Sequence, residues 1–264
     1  MGLLRTLRRR LALAWHRPRH WRFRKGTFDR RAFREVVVQN EYRLPNRLPA
    51  GAVVIDVGAN VGTFALAALR RGAGVVHCFE PDAENFAQLE SNLRPFASRV
   101  RLHRCAVWRS DVRVPALALC NPDRAANTGA VRVAAASAGE VAPARAFDDV
   151  IAELSVGGRP LLVKLDCEGA EWPILFTSRL LGRALAVFGE YHLGPLPPAF
   201  HVAGAPEQTP EGLVACLRGH GLTAEAIPHR KAPARFGHFF ARRHEAGPSI
   251  TTRQPWELEV ASGA

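Results

Sequence analysis

The sequence predicts an α/β fold, a mostly parallel seven-stranded sheet with helices on both faces. Three observations predict it. From residue 52 onward, short continuous apolar runs of the kind buried on both faces alternate with helix-length stretches. The first run breaks at the closely spaced glycines Gly58 and Gly62, which let a strand turn tightly into a helix. Successive runs then end on acids, Asp56, Glu80, Asp166 and Glu190, where the strands of such a sheet open onto a ligand crevice. With 264 residues, 47% hydrophobic and 23% charged, the chain suits one such domain and is short for two.

The elements follow in order. Residues 52–56 read as the first strand and 61–70 as a helix; 75–79 is a second strand, 83–93 a second helix and 100–107 a third strand. Residues 111–145, rich in Ala, Val, Pro and Asn, read as short strands or a lid. Helix 147–154 precedes strand 160–166, whose apolar face is interrupted only by Lys164. A helix starting near residue 170 and continuing through 175–181 leads to strand 185–190. After a Pro- and Gly-rich loop, Thr209 caps a helix over 209–219 with Pro210 at its first position. Residues 222–227 and 238–241 supply the last two strands.

The formal net charge is +12, and its location restricts its meaning. The first 25 residues hold nine basic residues and no acid; the remaining 27 basic residues exceed the 24 acidic ones by three. A nearly neutral body argues against a broad nucleic-acid groove. The expected organisation is a basic tail and linker over 1–45, where "FDRRAFREVVVQNEYRLP" gives a short helix or strand, a catalytic domain over 46–245 and a C-terminal tail over 246–264. The apolar stretch in "RRRLALAWHRPRH" is too short for a signal peptide, and no later run approaches a membrane span. On a helical wheel Leu3, Leu4, Leu7, Leu11, Ala14 and Trp15 share one arc flanked by arginines. That helix could lie on an anionic membrane with Trp15 and Trp21 as anchors, pack on the domain, or simply be solvated. Five widely spaced cysteines without metal spacing read as reduced thiols, so the expected location is cytoplasmic, or peripheral at the inner membrane face.

The glycine loop and the acid after it describe a ligand. The run Gly58-Ala59-Asn60-Val61-Gly62 places Asn60 where a dinucleotide fingerprint needs its second glycine, which lowers the case for a pyrophosphate. Glu80, at the end of the second strand, is placed to accept hydrogen bonds from both hydroxyls of a ribose. A nucleoside without pyrophosphate fits both. The segments "DVGANVGTFAL", "FEPDAENFAQLESNL" and "LLVKLDCEGAEWPIL" resemble the signature segments of the FkbM family of S-adenosylmethionine-dependent O-methyltransferases, which have the class I, Rossmann-like methyltransferase fold. The likeness runs from about residue 53 to 192. It implies that Asp56, Gly58, Asn60 and Gly62 line the methionine end of the cofactor, that Glu80 holds the ribose, that Pro81 and Asp82 flank the adenosine, and that Ala106 and Val107 sit near the adenine. It also implies an acceptor hydroxyl on a small molecule, a sugar of a glycan or a secondary metabolite.

Catalytic candidates cluster at two later strand ends. Asp166 leaves a buried strand at the crevice, while Glu190 and His192, two apart, share one face of an extended segment. Methyl transfer to a hydroxyl needs an aligned alcohol and a proton acceptor, a role for His192 or Asp166. The same three residues could instead bind a divalent cation, Mg or Mn, that lowers the alcohol's pKa. Glu168 and Glu171, early in the next helix, have a simpler reading as acids favoured at a helix N-terminus. After strand 160–166 the chain reads Asp166-Cys167-Glu168-Gly169 rather than the Asn/Asp-Pro-Pro-Tyr/Phe segment of enzymes that methylate base or amide nitrogen. Two rival classes stay open at this point: an NAD-dependent oxidoreductase using Glu80, and a nucleic-acid-binding protein with a vestigial methyltransferase domain.

Overall fold

The computed structural model describes residues 16–121, 132–134, 140–194 and 197–243. In chain order its strands are β1 (Val53–Val57), β2 (Val75–Phe79), β3 (Val100–His103), β4 (Ala106–Trp108), β5 (Ala116–Cys120), β6 (Arg132–Ala134), β7 (Glu140–Ala146), β8 (Leu161–Leu165), β9 (Ala186–His192), β10 (Leu222–Pro228) and β11 (Phe236–Arg243). The α-helices are α1 (Asp29–Phe33), α2 (Thr63–Arg70), α3 (Ala83–Leu93), α4 (Phe147–Leu154), α5 (Glu171–Thr177) and α6 (Pro210–Gly219).

Seven strands form the main sheet in the order β3-β2-β1-β8-β9-β11-β10. All neighbours are parallel except β11, which is antiparallel to both β9 and β10. All five residues of β1 are buried, as a strand covered on both faces requires. Strand order reverses between β1 and β8, so the loops leaving their carboxyl ends diverge and open a crevice. One face of the sheet packs under Phe147, Ile151, Trp172, Leu175 and Leu213. The other packs under Phe64, Leu66, Leu89 and Leu93.

Local signals act where the sequence places them. Asp82 caps α3, its carboxylate accepting from the Asn85 amide at 2.9 Å. The Thr209 hydroxyl accepts from the Gly212 amide at 3.1 Å at the start of α6, with Pro210 in the first position. All five cysteines are unpaired thiols. Among the described residues no helix is long and apolar enough to cross a membrane.

Three expectations need correction. The strand expected over 100–107 stops at His103. The amide of Cys105 turns back to the His103 carbonyl at 2.9 Å, and Ala106–Trp108 leaves the main sheet to pair with β7 in a second sheet of order β4-β7-β5-β6. The region 111–145 therefore contributes short strands.

Nor are the described residues before 46, from 16 onward, a linker. Trp21, Phe33, Val36, Val37, Tyr42 and Leu44 share one core with Val54, Phe64 and Leu66. Helix α1 runs on into a π-helical turn, Arg34–Val38, that covers α2, and Arg24 ties this cap down through Asp29 (2.9 Å) and Asn85 (2.9 Å). Finally, Trp21, an anchor in the membrane-surface reading of the tail, is 1% exposed inside that core. The amphipathic stretch over residues 3–15 and the tail over 246–264 lie outside the described residues.

Candidate active site

A cavity of about 870 Å³ lies at the carboxyl ends of β1, β2, β8 and β9. On one side the loop Gly58-Ala59-Asn60, with Glu80, Pro81, Ala106 and Val107, forms its wall; on the other stand Asp166, Glu168, Glu190 and His192. The cap contributes Glu35, Gln39, Glu41 and Tyr42, and the β10–β11 hairpin adds His229, Phe236 and His238. Three residues expected at the cofactor, Asp56, Gly62 and Asp82, stand behind this wall. Gly62 has φ +91°, and a Cβ there would come 2.9 Å from Leu89 Cδ1, so its task is close packing of the loop on α3. Asp82 is the cap of α3.

The loop has the shape its glycines allow. Gly58 (φ +73°) and Asn60 (φ +49°) are both left-handed. A Cβ at Gly58 would collide with the Asp166 carbonyl oxygen, so only glycine lets the ends of β1 and β8 come this close. Asn60 donates its amide to Glu80 Oε2 at 2.8 Å, and Asp82 donates its amide to Oε1 at 3.0 Å. Glu80 is thereby fixed with two of its roughly four acceptor directions used. Burial raises its pKa to about 7, against the pull of these hydrogen bonds.

Asp56 and Lys164 are register partners on adjacent strands and meet beneath the loop, with Lys164 Nζ 3.2 Å from Asp56 Oδ1. Burial works against the lysine's charge, but Asp56 and Asp166 outweigh it and its pKa is raised. The ammonium donates to the carbonyls of Val57 (3.2 Å) and Gly58 (2.7 Å), so this buried pair pins the loop from below. It also lies 3.9 Å from Asp166, whose Oδ2 accepts from the Tyr42 hydroxyl at 2.8 Å. Against burial, which raises it, Lys164, His192 and the Tyr42 hydroxyl hold the Asp166 carboxyl below the usual range.

His192 is surrounded by carboxylates. Its Nδ1 lies 2.9 Å from Glu171 Oε1, its Nε2 3.3 Å from Glu190 and 3.7 Å from Glu168. Glu171 is fully buried and also accepts the amides of His192 (2.7 Å) and Gly169 (2.9 Å). An ionised carboxylate only accepts, so Nδ1 carries a proton and Nε2 is the atom turned toward Glu190 and the cavity. Burial opposes the imidazolium, but Glu171 above all, with Glu190 and Glu168, raises the His192 pKa well above its ordinary value. Burial and Asp166 push Glu190 up to about 7. One ligand atom from each of Asp166, Glu190 and His192 lies within 4.8 Å of the others, so the three expected catalytic residues do converge.

Tyr42, Glu41 and His238 join this cluster without any local signal in the sequence. Glu171 had the helix-terminus explanation, which hid its contact with His192. Burial, then Glu35, Glu190 and Asp166, raises the Glu41 pKa to about 9. A folded-state carboxyl that holds its proton to about pH 9, against 4.5 when unfolded, makes folding progressively less favourable as pH rises between those values. A quarter of the side chain meets solvent, which moderates the effect. Glu41→Gln is therefore expected to raise stability at pH 8 by about 2 kcal/mol, some 4–8 °C in Tm, and to do nothing below pH 4.5. Thermal melts at the two pH values check this; equal shifts at both would contradict the buried-acid account.

A family model described as "Methyltransferase FkbM domain" matches residues 56–197. The chain is 32% identical over 226 residues to 31-O-demethyl-FK506 methyltransferase FkbM of Streptomyces tacrolimicus, covering 74% of this chain and 82% of that protein. Among solved structures it is similar to a methyltransferase FkbM from Methylobacillus flagellatus KT, at 17% identity and a TM-score of 0.42, over 90% of this chain and 60% of that one. A putative RNA methyltransferase from Pyrococcus horikoshii matches at 16% identity and a TM-score of 0.41, over 91% of this chain and 100% of that one.

Proposed function

Since the chain belongs to the FkbM methyltransferase family and is a methyltransferase that uses S-adenosylmethionine, we propose that it methylates a hydroxyl of a small molecule, a sugar of a glycan or a secondary metabolite. The observation that carries this reading is one cavity that has Glu80 and the left-handed loop on one side and Asp166, Glu190 and His192 on the other. Family membership leaves the oxidoreductase reading, and that of a nucleic-acid binder with a vestigial domain, without support. The Streptomyces relative is, by its name, an O-methyltransferase of a demethylated FK506, in line with an alcohol as acceptor.

The residues fit the cofactor. Glu80 keeps acceptor directions free for ribose hydroxyls, the left-handed loop from Gly58 to Asn60 lines the methionine end, and Pro81, Ala106 and Val107 offer an apolar wall for the adenine. Asp56, Gly62 and Asp82 act one layer back, by shaping the loop and α3. Bound S-adenosylmethionine supplies an electrophilic methyl on a sulfonium. Asp166, held ionised, lies beside His192 and favours the imidazolium that forms there. His192 Nε2, when neutral, takes the hydroxyl proton, and Glu171 stabilises the imidazolium that results. Calorimetric titration with S-adenosylhomocysteine and with NAD tests the reading. Binding of the first alone supports it, and NAD binding with no S-adenosylhomocysteine binding would sink it.

The convergence of three ligand atoms favours a second reading, a Mg or Mn ion held by Asp166, Glu190 and His192. Glu171 on the far nitrogen of His192 is the outer partner that such a ligand usually has. Electron paramagnetic resonance of the protein titrated with Mn²⁺ separates the two. Micromolar binding lost in His192→Ala supports the ion, and no binding at millimolar Mn²⁺ leaves the general base.

A further inference from the structure

The floor of the cavity is acidic, with Glu41, Asp166, Glu168 and Glu190, but its mouth is basic. The turn joining β10 to β11, "HRKAPAR" from His229 to Arg235, carries Arg230, Lys231 and Arg235 and no acid. All three side chains are exposed, and among the described residues no acid pairs with any of them. Across the mouth the cap presents Arg31, whose guanidinium is shared with Glu35 at 2.9 Å and lies 5.5 Å over the ring of Phe28. Arg31 and Glu35 of the cap and His229 and Arg235 of the turn line the same cavity, so the cap and the turn meet at one place.

Between floor and mouth runs a column of rings. His192 and Phe236 stack at 6.3 Å and 25°, and Phe236 and His229 at 4.2 Å and 24°. The column begins at the residue that takes the proton and ends at His229 in the basic turn, and its two steps of 6.3 and 4.2 Å are on the scale of a sugar ring with one substituent. Stacked on one another, these rings turn their edges to the cavity and line it with a rigid, largely apolar wall along which a ring-shaped ligand fits. The unpaired guanidinium of Arg235 suits two oxygens of a phosphate or carboxylate, and in a cavity with acidic walls elsewhere it favours an anion at that point only.

From this juxtaposition we propose that the acceptor carries an anionic group, phosphate or carboxylate, about one sugar ring away from the hydroxyl that is methylated. Arg235, supported by Arg31 and Lys231, binds that group. The inference rests on the methyltransferase reading above and narrows its substrate class: a neutral polyol leaves the Arg235 guanidinium unused, while a sugar phosphate or a uronic acid engages both ends of the cavity.

The test is calorimetry on the full chain, loaded first with S-adenosylhomocysteine and then titrated with glucose 1-phosphate, glucuronic acid and methyl glucoside. At least one anionic sugar is expected to bind tenfold or more tightly than methyl glucoside. Arg235→Ala is expected to weaken it at least fivefold with S-adenosylhomocysteine affinity unchanged, and added salt is expected to weaken it as well. The stronger of the two anions identifies the group as phosphate or carboxylate. Equal affinity for the neutral sugar, no binding of any sugar, or an Arg235→Ala variant that binds like the parent overturns the proposal. Failure to bind S-adenosylhomocysteine would instead count against the methyltransferase reading, so the two failures are distinguishable.

Discussion

His192→Ala is expected to lower kcat for methyl transfer by about 10³-fold while leaving S-adenosylhomocysteine affinity unchanged. The imidazole is fixed at both ends. Glu171 holds Nδ1 at 2.9 Å and the backbone amide at 2.7 Å, and the indole of Trp172 donates to the His192 carbonyl at 2.6 Å. None of these contacts involves the Glu80 side of the cavity, which is why cofactor binding should survive. The carboxylates around His192 raise its pKa, led by Glu171, so the neutral base is scarce at pH 7 and grows with pH. The rate should therefore climb through an apparent pKa above that of free imidazole, a value belonging to the cluster as a whole. Glu171→Gln removes the largest supporting charge and should move that midpoint toward acid. A Glu171 that merely builds the fold would lower the rate without moving it. Label transfer from methyl-labelled S-adenosylmethionine, followed across pH in the three proteins, decides; a His192→Ala enzyme within tenfold of the parent would remove His192 from the chemistry.

The parts of this site that the sequence made legible are those whose cause is local. Gly58, Asn60 and Glu80 act within 25 residues of one another, and the strand, loop, helix and strand that join them follow from hydrophobic periodicity and glycine alone. The same holds for the caps at Asp82 and Thr209. Contacts made by the cap are of another kind. The Tyr42 to Asp166 hydrogen bond spans 124 positions, and Arg43 reaches Glu225 across 182, so nothing near residue 42 could announce either. Arg-rich composition left the first 25 residues open between a membrane surface, packing on the domain and solvent, and the stretch holding Phe33 read as a linker with a short element, although Trp21 and Phe33 are core residues. Charge runs describe a surface, and alternate apolar residues within them still pack. Lys164 was visible as an interruption of an apolar strand, but its partner Asp56 is fixed by strand register, which needs the order of the sheet.

Glu80→Ala is expected to weaken S-adenosylhomocysteine binding by about 10²–10³-fold. Hydrogen bonds to a charged acceptor contribute about 1.5–3 kcal/mol each, so losing a pair near the lower end of that range corresponds to that factor. The carboxylate is prepared for the role, because Asn60 and Asp82 take one acceptor direction on each oxygen and Asn85 Nδ2 stands at 3.5 Å, at the limit of hydrogen bonding. Burial has an opposing effect, raising the Glu80 pKa to about 7. A proton then competes with the ribose hydroxyls. Below pH 7 the carboxyl is neutral and accepts more weakly; above it the carboxylate is available. Affinity in the parent should thus fall toward tenfold per unit as pH drops from 7 to 5 and level off above 8. Glu80→Gln keeps one oxygen acceptor for the loop amides but cannot ionise, so its weaker binding should not vary with pH over that range. Calorimetry at pH 5, 6, 7 and 8 on the three proteins, with Tm measured alongside, separates a lost contact from a damaged loop. If the parent showed no pH dependence and Glu80→Ala bound within threefold of it, the ribose would have to be held elsewhere on the cavity wall.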